Sequence, residues 1–398
     1  MVRPVSLEKP HKKIKIAFHL RDHLGWTAGL VYLETLFQAL KDTNPDDLSI
    51  GVLGRNGELS NGLRFLEVAD DVIAFQSIER WTSTWVIHGL GSRLLHRNLV
   101  DDHLLKKHGI DVVAFGEAPQ GSKTPALGWI PDFQHLHFPE FFTDRELRDR
   151  SLSFSRLVER SARVILISES AKRDFERFAP QWTDKARVLH PLTVIPDAVY
   201  GTDPNSVCAT YHLPRRFFYL PNQFWKHKNH ITVFQAINIL RQKGIQVFLV
   251  CSGYSGDYRH ATLFSELLLE ISRLDIRDQV ALLGVLPREH VFQLMRQSIC
   301  GLNPSRFEGY GMTVDESRSL GKPMLLSDIP AHREQNPAGA VFFDALNSEE
   351  LAEKMENIWR EGTPGPNSNL EEAYRRELPE RRRKYAESFM AIVREVVK

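Results

Sequence analysis

Short apolar runs alternate with longer amphipathic segments along the whole chain. That alternation predicts parallel sheets covered by helices, an α/β architecture. In the first half the strand candidates are Ile14–Phe18, Leu48–Leu53, Val112–Phe115 and Val164–Ile167, and Leu30–Leu40 carries apolar residues at helical spacing. The second half repeats the logic. Phe217–Leu220 reads as a strand, Ile231–Arg241 as a helix with Ile231, Phe234, Ile237 and Leu240 on one face, and Gln246–Cys251 as the next strand. Val280–Leu283, a helix near His290–Arg296, and Ile299–Asn303 continue the series. Between the halves lies His190–Pro214, with Pro191, Pro196, Pro204 and Pro214, the natural hinge. The pattern predicts two Rossmann-like domains facing across a cleft, 1–200 and 201–378, with ligands outside the carboxyl ends of the strands. A last helix is expected over 379–398, where Tyr385, Phe389, Ile392, Val393 and Val396 share a helical stripe.

Composition narrows the function classes. The 398 residues are 42% hydrophobic and 25% charged, and 51 Lys+Arg against 50 Asp+Glu leave no global field to draw nucleic acid or an anionic membrane. Basic clusters at Lys9, Lys12, Lys13 and Lys15, and at Arg375, Arg376 and Arg381 to Lys384, read as solvated faces and a charged tail, with weak peripheral lipid contact the minor alternative. Cys208, Cys251 and Cys300 lack metal-ligand spacing, and no apolar run reaches membrane-spanning length, so a reducing, cytoplasmic setting is expected. The sequence contains no Asp-x-Asp, no His-Glu-x-x-His and no Gly-x-Ser-x-Gly.

Ser305–Glu334 is the most informative stretch. Glu308 and Glu316 flank a Gly309-Tyr310-Gly311 turn that leads into a helix starting near Met312 or Thr313 and stopping at Gly321, before Pro323. A helix start offers unpaired N–H groups, and the glycines let a phosphate approach them. The two carboxylates would repel phosphate, so they suit hydroxyls on either side of a diphosphate, which describes a nucleotide sugar. A second reading makes Thr313 to Glu316 a capping box. The full pattern of Glu-x7-Glu, Gly-Lys-Pro, a strand over Met324–Leu326 and Ser-Asp-Ile-Pro-Ala-His-Arg-Glu resembles the donor site of retaining glycosyltransferase family 4, the group 1 glycosyltransferases of GT-B fold.

Further segments extend the resemblance. Tyr219–His230 follows a strand and precedes a helix, so Lys226 and Lys228 stand at the domain mouth, where a lysine can neutralise a diphosphate. Gln223 occupies the place where the family usually carries arginine, and Lys226 is the candidate substitute. In Pro125–Phe142, Asp132, Gln134 and His135 fall at a strand's carboxyl end, with His137 two residues on. The loop His19–Gly29 resembles the family's glycine-containing first turn, with Asp22, Trp26 and Thr27 as acceptor-pocket candidates. Gly89 and Gly91 sit too far from the first strand for a dinucleotide fingerprint, Ser252–Gly256 is an ordinary turn or a cleft wall, and Gly284–Pro287 corresponds to the family's nucleobase site.

The resemblance implies hexose transfer from a nucleotide sugar, with retention, to a glycan or lipid-linked glycan. Glu308, Lys228 and His135 would be catalytic; Glu316, Gly309, Tyr310, Gly311, Met312, Thr313, Lys226, Gln223, Asn222 and Gly29 would bind the donor. No metal or other cofactor is expected. The first domain would bind the acceptor and the second the donor, the final helix would pack back on the first domain, and the enzyme could work at the inner face of the membrane. Bacterial mannosyl- and rhamnosyltransferases are the nearest in appearance, which favours GDP-mannose. The alternatives are a nucleotide-sugar epimerase of the same fold and a non-catalytic nucleotide-sugar-binding regulator.

Overall fold

The computed structural model describes residues 13–19, 27–43, 46–55, 64–75 and 98–397. Lys9, Lys12, Asp22, Trp26, Gly89, Gly91 and the side chain of Thr27 lie outside the described residues.

Two parallel sheets form the molecule. The first contains β1 (Ile14–His19), β2 (Leu48–Arg55), β3 (Asp71–Phe75), β4 (Val112–Ala114), β5 (Ala126–Ile130), β6 (Arg163–Leu166) and β7 (Ala186–Val188), in the order β3-β2-β1-β4-β5-β6-β7. The second contains β8 (Phe218–Leu220), β9 (Leu249–Cys251), β10 (Val280–Leu282), β11 (Cys300–Asn303), β12 (Met324–Ser327) and β13 (Ala340–Phe343), in the order β10-β9-β8-β11-β12-β13. Ile16 of β1 pairs with Ile50 on one side and Val112 on the other, and Tyr219 of β8 pairs with Val250 and Gly301. Each sheet therefore reverses its winding beside its first strand, at β1/β4 and β8/β11, where carboxyl-end crevices open. Strands such as β4 and β5 are buried throughout, as both faces of a parallel sheet are covered.

The expected elements stand with small shifts. The helix predicted over Leu30–Leu40 runs Thr27–Thr43, burying Tyr32, Leu33, Leu36, Phe37 and Leu40. The strand expected from Gln246 shortens to Leu249–Cys251. His190–Pro214 is not a bare linker. It carries helices Asp197–Gly201 and Asn205–Thr210, because Ile195, Val199, Val207 and Cys208 have apolar surface to bury beside Phe217 and Tyr219.

The last helix is longer than expected, spanning Ser368–Arg394 with Pro379 inside it. Asn367 caps it by accepting from the Leu370 N–H, so the helix begins well before the proline. Its first part is tied to the second domain through Glu371, which accepts from Arg296 Nε at 2.7 Å. Its second part crosses back to the first domain, where Phe389 lies 5.6 Å from Phe18 and 6.0 Å from Phe115, ring to ring. The basic cluster along it is also tied inward: Arg375 pairs with Asp197, Arg381 with Asp315 and Arg382 with Asp42. No helix among the described residues is long and apolar enough to cross a membrane. All three cysteines are buried free thiols.

Candidate active site

At the carboxyl ends of β8 and β11 the chain brings Asn222, Lys228, Asn303, Ser305 and Glu308 together. Lys228 Nζ donates to Glu308 Oε1 at 2.6 Å, Ser305 Oγ donates to the same oxygen at 2.7 Å, and Asn303 Nδ2 reaches it at 3.3 Å. Asn222 Nδ2 in turn donates to Asn303 Oδ1 at 3.0 Å. The chain supplies this cluster because two strand ends meet at the switch point, each followed by a proline (Pro221, Pro304) that stops the strand. No hydrogen bond within the described residues reaches Glu308 Oε2, which is left to accept from a ligand. Burial would raise the pKa of Glu308. Lys228, His332 and His227 outweigh that and hold it at about 2, so the carboxylate is ionised at neutral pH.

Lys228 is thus not a free point charge waiting for phosphate but half of a buried ion pair. Lys226, the proposed substitute for the absent arginine, is exposed and lies over the Phe141 ring of the first domain at 5.3 Å. Gln223 is exposed and accepts from the Tyr254 N–H at 2.9 Å, bracing the Ser252–Gly256 turn rather than holding a charge.

The glycine turn and helix follow. Gly311 sits at φ 91° as the N-terminal cap of the helix Met312–Ser319, and no side chain caps it. A residue other than glycine would be strained there. The capping-box reading of Thr313 and Glu316 is not built: Gly311 takes the cap position, which moves Glu316 beyond the third helical residue. Glu316 instead accepts from Arg288 Nη2 at 3.0 Å. Burial raises its pKa, Arg288 opposes and Asp315 adds, and the balance is upward. The first-turn N–H groups near Met312 and Thr313 are therefore open to an anion. Tyr310 is a different case. Its side chain is buried in the apolar cluster that holds Tyr32 and Tyr385, so only its backbone faces the loop. At the helix end, Gly321 takes φ 62°, as its place after the last turn predicted.

The first domain closes the other side. A Cβ at Gly309 would run into the Pro131 carbonyl oxygen, so the two domains touch at this turn. Phe307 packs 4.9 Å from the His137 ring, and Arg259 Nη1 donates to Gln134 Oε1 at 2.9 Å. Asp132 accepts from the Gln134 N–H and from Arg150 Nη2. His137 pairs with Asp174 at 2.8 Å. His135 is 2% exposed, its ring beside Phe133, Phe154 and Phe178, and neither ring nitrogen has a partner. Burial, helped by Arg150, lowers its pKa to about 4, so the imidazole is neutral. Gly29 is buried inside its helix.

Sequence reasoning missed Asn303, Ser305, Arg288, His227 and His332. Asn303 was the findable one, a polar residue ending an apolar strand at a switch point. Among the described residues no group of three His, Cys, Asp or Glu side chains could hold a metal.

The fold is GT-B: two Rossmann-like domains, a cleft between them, and a last helix returning to the first. HepE from Anabaena, in complex with UDP and glucose, is similar at a TM-score of 0.65 and 15% identity, with 95% of this chain and 99% of that one covered. Sucrose-phosphate synthase from Thermosynechococcus elongatus gives 0.63 at 13%, with 96% and 97% covered. WaaG, a glycosyltransferase involved in lipopolysaccharide biosynthesis, gives 0.56 at 15%, with 94% and 95% covered. No curated protein sequence matches the chain. Residues 213–386 match the family model of the glycosyl transferases group 1.

Proposed function

We propose that the chain is a retaining, family 4 hexosyltransferase that takes its sugar from a nucleotide sugar and passes it to a glycan or lipid-linked glycan. The observation that carries this is Glu308: a buried, ionised carboxylate held through Oε1 by Lys228, Ser305 and Asn303, beside an uncapped helix N-terminus. A carboxylate so fixed suits sugar hydroxyls through Oε2, while the N–H groups of Met312 and Thr313 take the diphosphate. Lys228 would turn part of its donor capacity from Glu308 to the leaving phosphate. Lys226, Asn222 and Gly29 would contribute to donor binding. Glu316, oriented by Arg288, would hold the ribose hydroxyls. His135, its ring buried among phenylalanines in this structure, would have to be uncovered to orient the transferred sugar or the acceptor hydroxyl. Retention follows from a front-face displacement: the acceptor oxygen bonds to the anomeric carbon as the phosphate leaves, and the phosphate oxygen takes the acceptor proton. Contact between the domains excludes water that would hydrolyse the donor. No metal is assigned a role, and the site of action is the cytoplasmic side, at the inner face of the membrane.

The donor assignment has two supports that differ. The segments around Asp132 and Lys228 resemble mannosyltransferases and favour GDP-mannose, whereas HepE holds UDP and glucose. A thermal-shift screen with GDP-, UDP-, ADP- and dTDP-sugars, with Glu316→Ala alongside, decides. Stabilisation by one donor that is lost in the variant supports the site, and no stabilisation by any overturns it. Gln223 favours a second reading, a nucleotide-sugar-binding regulator, because it braces a turn where the family places a cation. A transferase hydrolyses donor slowly without acceptor, and a regulator leaves it intact.

A further inference from the structure

The short helix Pro330–Gln335 touches both the donor loop and the first domain. On one side Gln335 Nε2 donates to the carbonyl oxygens of Tyr310 at 2.5 Å and Gly311 at 3.1 Å. His332 lies under the same loop, where a Cβ at Gly311 would stand 3.5 Å from its Nε2. On the other side Glu334 reaches across to the helix Glu169–Phe178 of the first domain. Its Oε1 accepts from the Glu169 N–H at 2.8 Å and its Oε2 from the Ser170 N–H at 3.0 Å. His190 Nε2 adds a third bond to Oε1 at 2.7 Å. These are first-turn N–H groups that a helix cannot satisfy by itself, and an anion is favoured at that end. Ser168 completes the join: its Oγ caps the Ala171 N–H and donates to the Gly309 carbonyl at 2.6 Å.

We infer that Glu334 is a positioning residue that couples contact between the two domains to the shape of the Gly309–Gly311 donor loop. The helix cap of the first domain is completed by a carboxylate of the second, so separating the domains leaves two amides without partners. The residue that makes this cap shares its helix with Gln335, which grips the loop next to Glu308. Joining the domains and setting the loop are therefore one event. Burial disfavours the charged form of Glu334, but His190 and the two amides outweigh it and keep the carboxylate ionised. Glutamine at 334 keeps one acceptor oxygen and loses the second; alanine loses both.

The inference rests on the transferase reading for its rate consequence but not for the join itself, so the test has two arms. In the ligand-free full chain, hydrogen exchange at the Glu169 and Ser170 amides is expected to quicken from wild type to E334Q to E334A. Exchange as slow in E334A as in wild type overturns the join, whatever the protein catalyses. In the second arm, UDP and GDP are the probes and small-angle scattering reads compaction. E334Q is expected to bind the nucleotide within about threefold of wild type, to compact less, and to lose about tenfold or more in kcat with little change in KM. Wild-type compaction and kcat in E334Q, or affinity and rate lost in equal measure, overturns the coupling. If wild type binds neither nucleotide, the transferase reading and the coupling to a donor loop fail together, and the exchange arm still decides the join.

Discussion

Glu308 and Glu316 are both largely buried, yet their surroundings drive them apart. Glu308 has Lys228, His332 and His227 around it and is held at about 2, below the roughly 4.3 of an unfolded glutamate. A depressed carboxylate contributes stability above its unfolded pKa and loses it as pH falls through the folded value. Acid titration from about pH 5 to about 2 should therefore cost wild type more stability than Glu308→Gln, read by denaturant unfolding at each pH. Glu316 is raised by burial that Arg288 does not fully offset, so its ionised form is penalised at neutral pH. Glu316→Gln should leave the melting temperature at pH 7 unchanged or higher, while Glu308→Gln lowers it. Lys228→Met leaves the Glu308 charge without its main partner and is expected to cost about 3–5 kcal/mol, measured by chemical denaturation. In donor turnover Glu308→Gln should lose on the order of a hundredfold in kcat. Glu308, Lys228 and Glu316 were legible as candidates because each lies in a short local motif. The ion pair that joins two of them was not, since Lys228 and Glu308 come from loops after different strands.

At the scale of elements, the two glycines of the Gly309-Tyr310-Gly311 turn do different work. Gly311 is needed for its φ of 91°, so Gly311→Ala should cost about 1–3 kcal/mol and displace the helix start, weakening donor affinity in calorimetry. Gly309 is needed for space, because the first domain's Pro131 carbonyl occupies the position of a side chain. Gly309→Ala should spare intradomain stability but hold the domains apart, lowering kcat more than donor affinity. Equal effects of the two substitutions in both assays would refute this division of labour. The turn, the helix Met312–Ser319 and its Gly321 stop were readable locally, from glycine and proline placement. The cap was not: Thr313-Val-Asp-Glu316 is a valid capping box in sequence, but Gly311 starts the helix earlier.

The whole molecule is joined by its last helix. Glu371 and Tyr374 fasten its start to the second domain's Arg296 and to the Thr193 carbonyl, and Phe389 is fully buried in the first domain's core. Phe389→Ala should cost about 3–5 kcal/mol, seen as a lower denaturation midpoint. Since the same helix crosses both domains, the loss should register in first-domain amide exchange although the mutation is near the chain's end. Basic residues along this helix, legible in sequence only as a solvated tail, pair with Asp42 and Asp315, partners far away in the chain.

Periodicity and turn chemistry act over neighbouring residues, and they were enough to set the alternation of strands and helices, the two-domain plan and the glycine turn between Glu308 and Glu316. Only the tertiary structure decided which charges meet. Lys228 with Glu308, Arg288 with Glu316, and Glu334 with the amides of Glu169 and Ser170 each join separate loops or domains. Sequence spacing carries no record of such distances, and burial, which sends two similar carboxylates in opposite directions, exists only once the sheets have packed.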